Sequence, residues 1–186
     1  STHRNALDTD LYLRIATEIY LKRAVVGGVD RVFEMNRNCR NEGMDSSHSP
    51  EFTSLEAYEA YSDYNGMADL TRDLIQQAAR DAFDLSEGEE IVRLADGTEY
   101  DLSGQWDRID LYGSTSEALG EEVTVETPRE TLVKYAERIG LEVDDYAVSG
   151  KIVEDIFEEL VASKLWAPTF VYDFPEDTSP LPRYNR

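Results

Sequence analysis

Two short stretches of the chain carry side chains that can hold a charged small molecule. Within each stretch the polar residues are spaced two apart, so in a strand they would project from one face. They are Asn38, Arg40 and Glu42 in the first stretch, His48 in the connecting segment, and Phe52, Ser54, Glu56 and Tyr58 in the second. A guanidinium, two carboxylates, a phenol and an aromatic ring on one face suit a zwitterionic ligand or a nucleotide.

The alternation by itself leaves two interpretations open. The face can be a ligand site, or it can be the solvated side of an amphipathic hairpin, which is common in antiparallel sheets. The pattern alone favours the solvated face. A decision between the two needs the literal order of the residues as well as their spacing.

A strand, a helix and a wide hairpin are predicted to position these side chains. Alternating apolar residues predict a short first strand: Leu11, Leu13 and Ile15. A helical period begins at Ala16 and would end at Gly27 and Gly28. Residues 31–42 and 51–62 then predict two antiparallel strands joined by a loop rich in Ser, Gly and Pro. Opposite the polar face, the first of these strands carries Phe33, Met35 and Cys39.

The rest of the chain alternates helical patterns with short strands. The strongest turn signal is Asp96-Gly97, which predicts a small hairpin over residues 91–106. Helices are predicted over residues 67–83, 114–119, 129–139 and 151–165, and a last strand over residues 168–174. The pattern predicts one α+β unit with an antiparallel sheet.

Composition limits the classes of protein to which the chain can belong. Of the 186 residues, 41% are hydrophobic, which is enough to form a core, and no stretch approaches the ~20 apolar residues of a membrane helix. Cys39 is the single cysteine, which excludes an internal disulfide and favours a cytoplasmic protein. With 18 basic and 39 acidic residues the net charge is −21, so any contact with a nucleic acid must be local.

The literal residues resemble motif 2 of class II aminoacyl-tRNA synthetases, most closely the lysyl-tRNA synthetase form. Residues 37–43 (RNCRNEG) and 48–53 (HSPEFT) carry the resemblance. Further matches occur in the same order at residues 2–3, 5–8, 12–16, 18, 20–23, 56–58, 60–61, 63–64, 168–171 and 179–181. The resemblance implies an α+β catalytic domain whose antiparallel sheet is flanked by helices and is incomplete at both ends.

The family's reaction explains why such side chains are wanted. Members activate lysine with ATP to lysyl-adenylate and pass the lysyl group to tRNA(Lys). By resemblance, Arg40 is the motif 2 arginine that bridges the α-phosphate and the lysine carboxylate, so it is both the catalytic residue and a contact for each substrate. Glu42 and His48 align with ATP-contacting positions, and Phe52 aligns with the ring that stacks on adenine.

Lysine recognition is implied for three further residues. Glu56 with Tyr58 aligns with the positions that pair with the ε-ammonium, and Glu18 aligns with the position that holds the α-amino group. Two residues depart from the family pattern. Cys39 replaces a usual phenylalanine and is expected to pack as a small hydrophobe, and Ser47 replaces a basic residue, so one triphosphate contact is expected to be absent or supplied elsewhere.

The resemblance also implies what surrounds the 186 residues. We expect one partial catalytic domain, with the substrate strands and motif 2 hairpin in residues 1–66, helices and a small hairpin in residues 67–165, and a returning strand and loop in residues 166–186. Motifs 1 and 3 and the Mg²⁺ ligands are expected outside it, so no metal site is expected within it. The parent protein is expected to be a cytoplasmic homodimer using ATP, Mg²⁺, lysine and tRNA(Lys), with no membrane contact from this segment. The 186 residues alone are expected to be inactive.

Two other functions remain open at the level of sequence. A synthetase-like paralogue could lysylate a protein or lipid acceptor while keeping the same adenylation residues. A non-catalytic interaction module could retain the fold. The presence of all seven aligned site residues argues against the second alternative.

Overall fold

A computed structural model describes residues 2–3, 9–41, 43–45 and 48–179. The chain divides into two compact units, Ser1–Met67 and Ala68–Arg186, which are treated separately below. Predicted site residue Glu42 and the departure at Ser47 lie outside the described residues. The expected subdivision of a single catalytic domain at residues 66 and 165 stays a prediction.

The first unit is built on a long hairpin and a helix. Its elements are β1 (Thr2–His3), β2 (Thr9–Asp10), α1 (Glu18–Val26), β3 (Arg31–Cys39) and β4 (Glu51–Glu59). β1 pairs with β2, and β3 with β4, both antiparallel, and α1 packs against the β3–β4 hairpin. The predicted helix and hairpin are confirmed, although β4 ends three residues before the predicted limit.

The predicted strand over residues 11–15 is wrong. The structure gives these residues no strand, and their three alternating apolar side chains are exposed: Leu11, Leu13 and Ile15. Arg14 does accept one hydrogen bond through its carbonyl oxygen, from the Cys39 N–H at 2.7 Å. One backbone hydrogen bond does not make a ladder, so these alternating apolar residues do not form a strand.

The two faces of the β3–β4 hairpin differ in burial from what their polarity suggests. Phe33 and Met35 share a face, as predicted, but remain 72% and 68% exposed. On the opposite face Asn38 is completely buried. Thr17, which precedes α1 and hydrogen-bonds to this face, is 1% exposed. The covered face of this hairpin in the first unit is therefore the polar one.

The second unit combines helices with two small sheets. Helix α2 (Tyr64–Phe83) begins at the end of the first unit. The following elements are β5 (Ile91–Arg93), β6 (Glu99–Asp101), β7 (Asp107–Asp110), α3 (Leu111–Leu119), α4 (Arg129–Arg138), α5 (Ser149–Leu160) and β8 (Thr169–Tyr172). Single 3₁₀ turns occur at Ala162–Lys164 and Glu176–Thr178. Across the described ranges, no helix has both the length and the apolar character that a bilayer crossing requires.

The predicted helices of this unit and its hairpin are confirmed, with limits shifted by a few residues. The β5–β6 turn has Gly97 at φ 89°, a conformation that glycine adopts without strain. Strand β7 was not predicted, because its four residues contain a single apolar side chain, Ile109. β7 pairs with β8 in parallel. The described residues thus form four two-stranded sheets, one of them parallel, and not one antiparallel sheet.

The core of the second unit lies between α3, α4 and α5. Its most buried side chains include Leu111, Leu132, Ala136, Ile152 and Ile156, all at 1% exposure or less. The amphipathic spacing of the three helices places these residues on facing sides, and burying them removes apolar area from water. This apolar core stabilises the second unit. None of the predicted site residues lies in this unit.

Leu111→Ala is expected to destabilise this unit strongly. The substitution leaves a cavity at a fully buried position, which typically costs about 2–5 kcal/mol in the free energy of unfolding. Val125→Ala is the control, since Val125 is 77% exposed and its truncation should change little. Urea denaturation of both variants measures the difference, and equal midpoints would contradict the assigned core.

Candidate functional site

The Glu56 carboxylate, on the polar face of the hairpin, accepts three hydrogen bonds. Thr17 donates to Glu56 Oε1 through its backbone N–H at 3.2 Å and through its hydroxyl at 3.0 Å. The Tyr58 hydroxyl donates to Glu56 Oε2 at 3.0 Å. Glu56 lies opposite Glu34 in the ladder, and both project to the side on which Thr17 lies. The structure therefore presents a fixed, half-buried anion.

These contacts set the ionisation of the pair. Burial alone would raise the pKa of Glu56, but the bonds from Thr17 and Tyr58 and the positive charge of Arg40 outweigh it, and the pKa falls below its ordinary value. Burial, the hydrogen bond to Glu56 and the charges of Glu56 and Glu18 raise the pKa of Tyr58 to about 12. Near neutral pH, Glu56 is an anion and Tyr58 is a neutral donor to it.

Glu18 stands in the first turn of α1 and contributes a second negative charge near Tyr58. It forms an ion pair with Lys22, one helical turn later. The Lys22 ammonium also lies 5.7 Å from the centre of the Tyr58 ring. The Lys22 ammonium thus lies beside Glu18 and Tyr58, two of the four side chains that the resemblance assigns to lysine.

Arg40 and Phe52 form the other end of the site. The Arg40 guanidinium carbon lies 5.1 Å from the centre of the Phe52 ring, within cation–π range. Arg40 Nε donates to the Ile15 carbonyl oxygen at 3.3 Å, and the Arg40 N–H donates to the Pro50 carbonyl oxygen at 2.9 Å. Backbone and side-chain contacts together place a planar donor group over an aromatic ring.

His48 lies in the loop between the strands and contacts Asp45. Its Nδ1 lies 2.8 and 2.9 Å from the two Asp45 carboxylate oxygens, and its backbone N–H donates to Asp45 Oδ1 at 2.7 Å. These contacts fix the loop histidine locally. The structure brings Glu56, Tyr58, Arg40 and Phe52 onto one face of the hairpin, and it places His48 in the loop between the two strands. Glu42 lies outside the described residues.

Thr17, Asn36 and Asn38, to which the resemblance assigns no role, also make hydrogen bonds at this face. Asn38 donates to the Ser54 hydroxyl, and Asn36 Nδ2 lies 3.4 Å from the Thr17 hydroxyl. The side-chain oxygens of Asn36 and Asn38 are buried and have no hydrogen-bond partner among the described residues. Alternation already placed both asparagines on the polar face, but Thr17 carries no local signal for its contact with Glu56, 39 residues away.

The chemistry available on this face is electrostatic. An anion at one end suits an ammonium group, and a guanidinium at the other end suits a carboxylate or a phosphate. The positive charge of Arg40 contributes to the lowered pKa of Glu56, so the two ends act on each other electrostatically. Over residues 9–41, 43–45 and 48–179, no three His, Cys, Asp or Glu side chains converge in a way that could hold a metal ion.

Comparison with known proteins identifies the family of the chain. The family model for class II tRNA synthetases (D, K and N) matches residues 1–186. A lysine–tRNA ligase from Mycolicibacterium gilvum is 57% identical over 187 residues, and one from Kineococcus radiotolerans is 56% identical over 186 residues; each alignment covers 100% of this chain and 36% of the relative. A lysine–tRNA ligase from Magnetococcus marinus is 46% identical over 98% of this chain and 36% of its own length.

The chain thus spans about a third of the length of these curated relatives. The family match covers residues 1–186, so it includes the hairpin that carries Arg40, Phe52 and Glu56. The family model matches the whole chain, so the chain belongs to the class II tRNA synthetase family (D, K and N).

Proposed function

We propose that this chain supplies the lysine and ATP contacts of a lysine–tRNA ligase. The observation that carries the proposal is the polar face of the β3–β4 hairpin, where an ionised carboxylate and a stacked guanidinium stand on the same side. The relatives named lysine–tRNA ligase, at 46–57% identity, support lysine as the amino acid. An ammonium at one end and a carboxylate at the other describe that substrate.

In the proposed complex, the Glu56 carboxylate binds the ε-ammonium of lysine. The Tyr58 hydroxyl donates to Glu56 Oε2, the oxygen that faces this ammonium. Glu18 binds the α-amino group of lysine, so the Lys22 side chain must move away from Glu18 when the substrate binds. A site built around an ionised carboxylate discriminates against neutral side chains, because an unpaired buried charge is costly. Selection of lysine over methionine or glutamine follows from that penalty.

At the other end, Arg40 receives the lysine carboxylate and the α-phosphate of ATP. The carboxylate oxygen forms a bond to the α-phosphorus, and the bond from that phosphorus to the bridging oxygen breaks, so pyrophosphate leaves with its electron pair. Two anions must approach each other in this step, and a bidentate guanidinium lowers the barrier by neutralising charge in the transition state. Phe52 offers an aromatic surface for the adenine, and His48 and Glu42 are proposed as further ATP contacts.

Magnesium is expected in the complete enzyme, where it would offset the charge of the triphosphate. The described residues do not provide a ligand set for it, so no step here depends on the ion. Transfer of the lysyl group to tRNA(Lys) in the cytoplasm and assembly as a homodimer are likewise proposed for the whole protein. With a net charge of −21, this segment is expected to add little general affinity for tRNA.

The proposal is tested in a full-length protein that contains these 186 residues. We expect exchange of labelled pyrophosphate into ATP that depends on lysine, and charging of tRNA(Lys). Exchange without charging would support the alternative that a protein or lipid accepts the lysyl group. No exchange with any amino acid would support a non-catalytic module and would overturn the proposal.

A further inference from the structure

Thr17 is almost completely buried, at 1% exposure, directly before helix α1. Its backbone N–H and its hydroxyl both donate to Glu56 Oε1, at 3.2 and 3.0 Å. The same hydroxyl lies 3.4 Å from Asn36 Nδ2, which can donate to it. One threonine therefore connects the start of the helix with both strands of the hairpin.

The local geometry of Thr17 departs from the usual role of its position. A threonine at a helix N-cap normally takes extended dihedrals and accepts a hydrogen bond from a backbone N–H of the first turn. Thr17 has φ −102° and ψ −8°, and its side chain makes no cap hydrogen bond. The hydroxyl makes its hydrogen bonds with the hairpin instead: it donates to Glu56, and it can accept from Asn36 Nδ2. A local preference given up for a contact 39 residues away is characteristic of a functional constraint.

The hydrogen bonds also determine which part of Glu56 can meet a ligand. An ionised carboxylate has about four lone-pair sites, two on each oxygen. Thr17 supplies two donors to Oε1, and Tyr58 supplies one to Oε2. Counting the donors of the described residues, one acceptor direction on Oε2 remains for a further donor. A single N–H of a primary ammonium can donate in that direction, and its positive charge is complementary to the carboxylate.

We propose that Thr17 is a positioning residue for recognition of the amino-acid side chain: by holding Glu56 Oε1, it directs Oε2 toward the substrate ammonium. The inference rests on the proposed function and adds to it the residue that orients the lysine-selective anion. The amide of Thr17 also brings the positive end of the α1 dipole to Glu56, which favours the ionised form. Thr17 itself does not touch the substrate.

The test is Thr17→Val in a full-length protein that contains this chain, assayed by lysine-dependent pyrophosphate exchange. Valine keeps the shape and the backbone N–H but removes the hydroxyl. We expect the KM for lysine to rise about tenfold, the effect of losing one hydrogen bond to a charged group, with kcat and the KM for ATP within about twofold of wild type. Thr17→Ser, which keeps a hydroxyl, should retain the wild-type KM for lysine. If Thr17→Val disturbs folding, Thr17→Ala removes the same hydroxyl and should show the same rise in the KM for lysine.

A pH profile separates positioning from simple packing. Loss of the Thr17 hydroxyl donor should raise the pKa of Glu56 toward its ordinary value. Because Glu56 must be ionised to pair with lysine, the acid limb of kcat/KM for lysine should move to higher pH. Thr115→Val is the control, since Thr115 is equally buried and hydrogen-bonded but lies in the second unit. It should change neither the KM for lysine nor the acid limb.

The outcomes distinguish this inference from the proposed function. A wild-type protein without lysine-dependent exchange overturns the proposed function. An active wild type with an unchanged KM for lysine and an unmoved acid limb in Thr17→Val and Thr17→Ala overturns the role of Thr17. Equal increases in both KM values that Thr17→Ser does not reverse would assign Thr17 to the scaffold, which also overturns it.

Discussion

Glu56→Gln should strongly reduce the use of lysine while leaving ATP binding in place. Glutamine keeps the size of the side chain but removes the negative charge that pairs with the substrate ammonium. Loss of a charge-assisted hydrogen bond costs about 1.5–3 kcal/mol, which is roughly 10- to 150-fold in kcat/KM for lysine. The measurement is lysine-dependent pyrophosphate exchange in a full-length protein, with the KM for ATP determined in parallel.

Glu59→Gln is the matched control on the same strand. Glu59 projects from the other face of β4 and forms an ion pair with Arg31, across the ladder. Its removal should cost at most about 1 kcal/mol of stability, as for other surface ion pairs, and should leave the KM for lysine unchanged. If Glu56→Gln and Glu59→Gln have the same kinetics, Glu56 does not pair with lysine.

Local signals were sufficient to predict the frame of the site. Period-two alternation predicted β3 and β4, and the pair Gly27-Gly28 predicted the end of α1, because backbone geometry imposes both patterns directly. The same alternation placed Glu56 and Tyr58 on one side of β4. The role of each residue came from its resemblance to the family and not from alternation, and those roles stay predictions.

Contacts between distant segments were not predictable in the same way. The bond from Thr17 to Glu56 joins residues that no periodicity relates, so the sequence offered no sign of it. Strand β7 exists because β8 pairs with it, and its own four residues are too polar to be recognised as a strand. Residues 11–15 show the converse, because their apolar alternation pairs with no strand of the described residues and forms no ladder.

Burial was the least predictable property. An apolar face normally predicts a covered face, yet Phe33 and Met35 are exposed while Asn38 is fully buried on the polar side. The polar face is covered because Thr17 and α1 lie against it and satisfy some of its hydrogen-bonding groups. The polar side chains of this face are held in place by hydrogen bonds to neighbouring residues, and the same neighbours cover the face.

Arg40→Ala should reduce kcat itself and not only substrate binding. The guanidinium is placed by its stacking on Phe52 and by the Ile15 carbonyl oxygen, so it is already ordered before the substrates meet. Its charge is needed most when the lysine carboxylate approaches the α-phosphate, which makes its effect larger in the transition state than in the ground state. Removing one preorganised donor of this kind lowers kcat by about 10²–10³-fold.

Two further variants identify which property of Arg40 matters. Arg40→Lys keeps the positive charge but loses the planar fork, so it should recover only part of the rate if bidentate contact is required. Arg37→Ala is the control, because Arg37 projects from the opposite face of β3 and pairs with Glu51. We expect Arg37→Ala to retain full kcat in lysine-dependent pyrophosphate exchange. If Arg40→Ala raises the KM values at full kcat, Arg40 contributes only uniform binding, and the charge neutralisation proposed for the transition state is wrong.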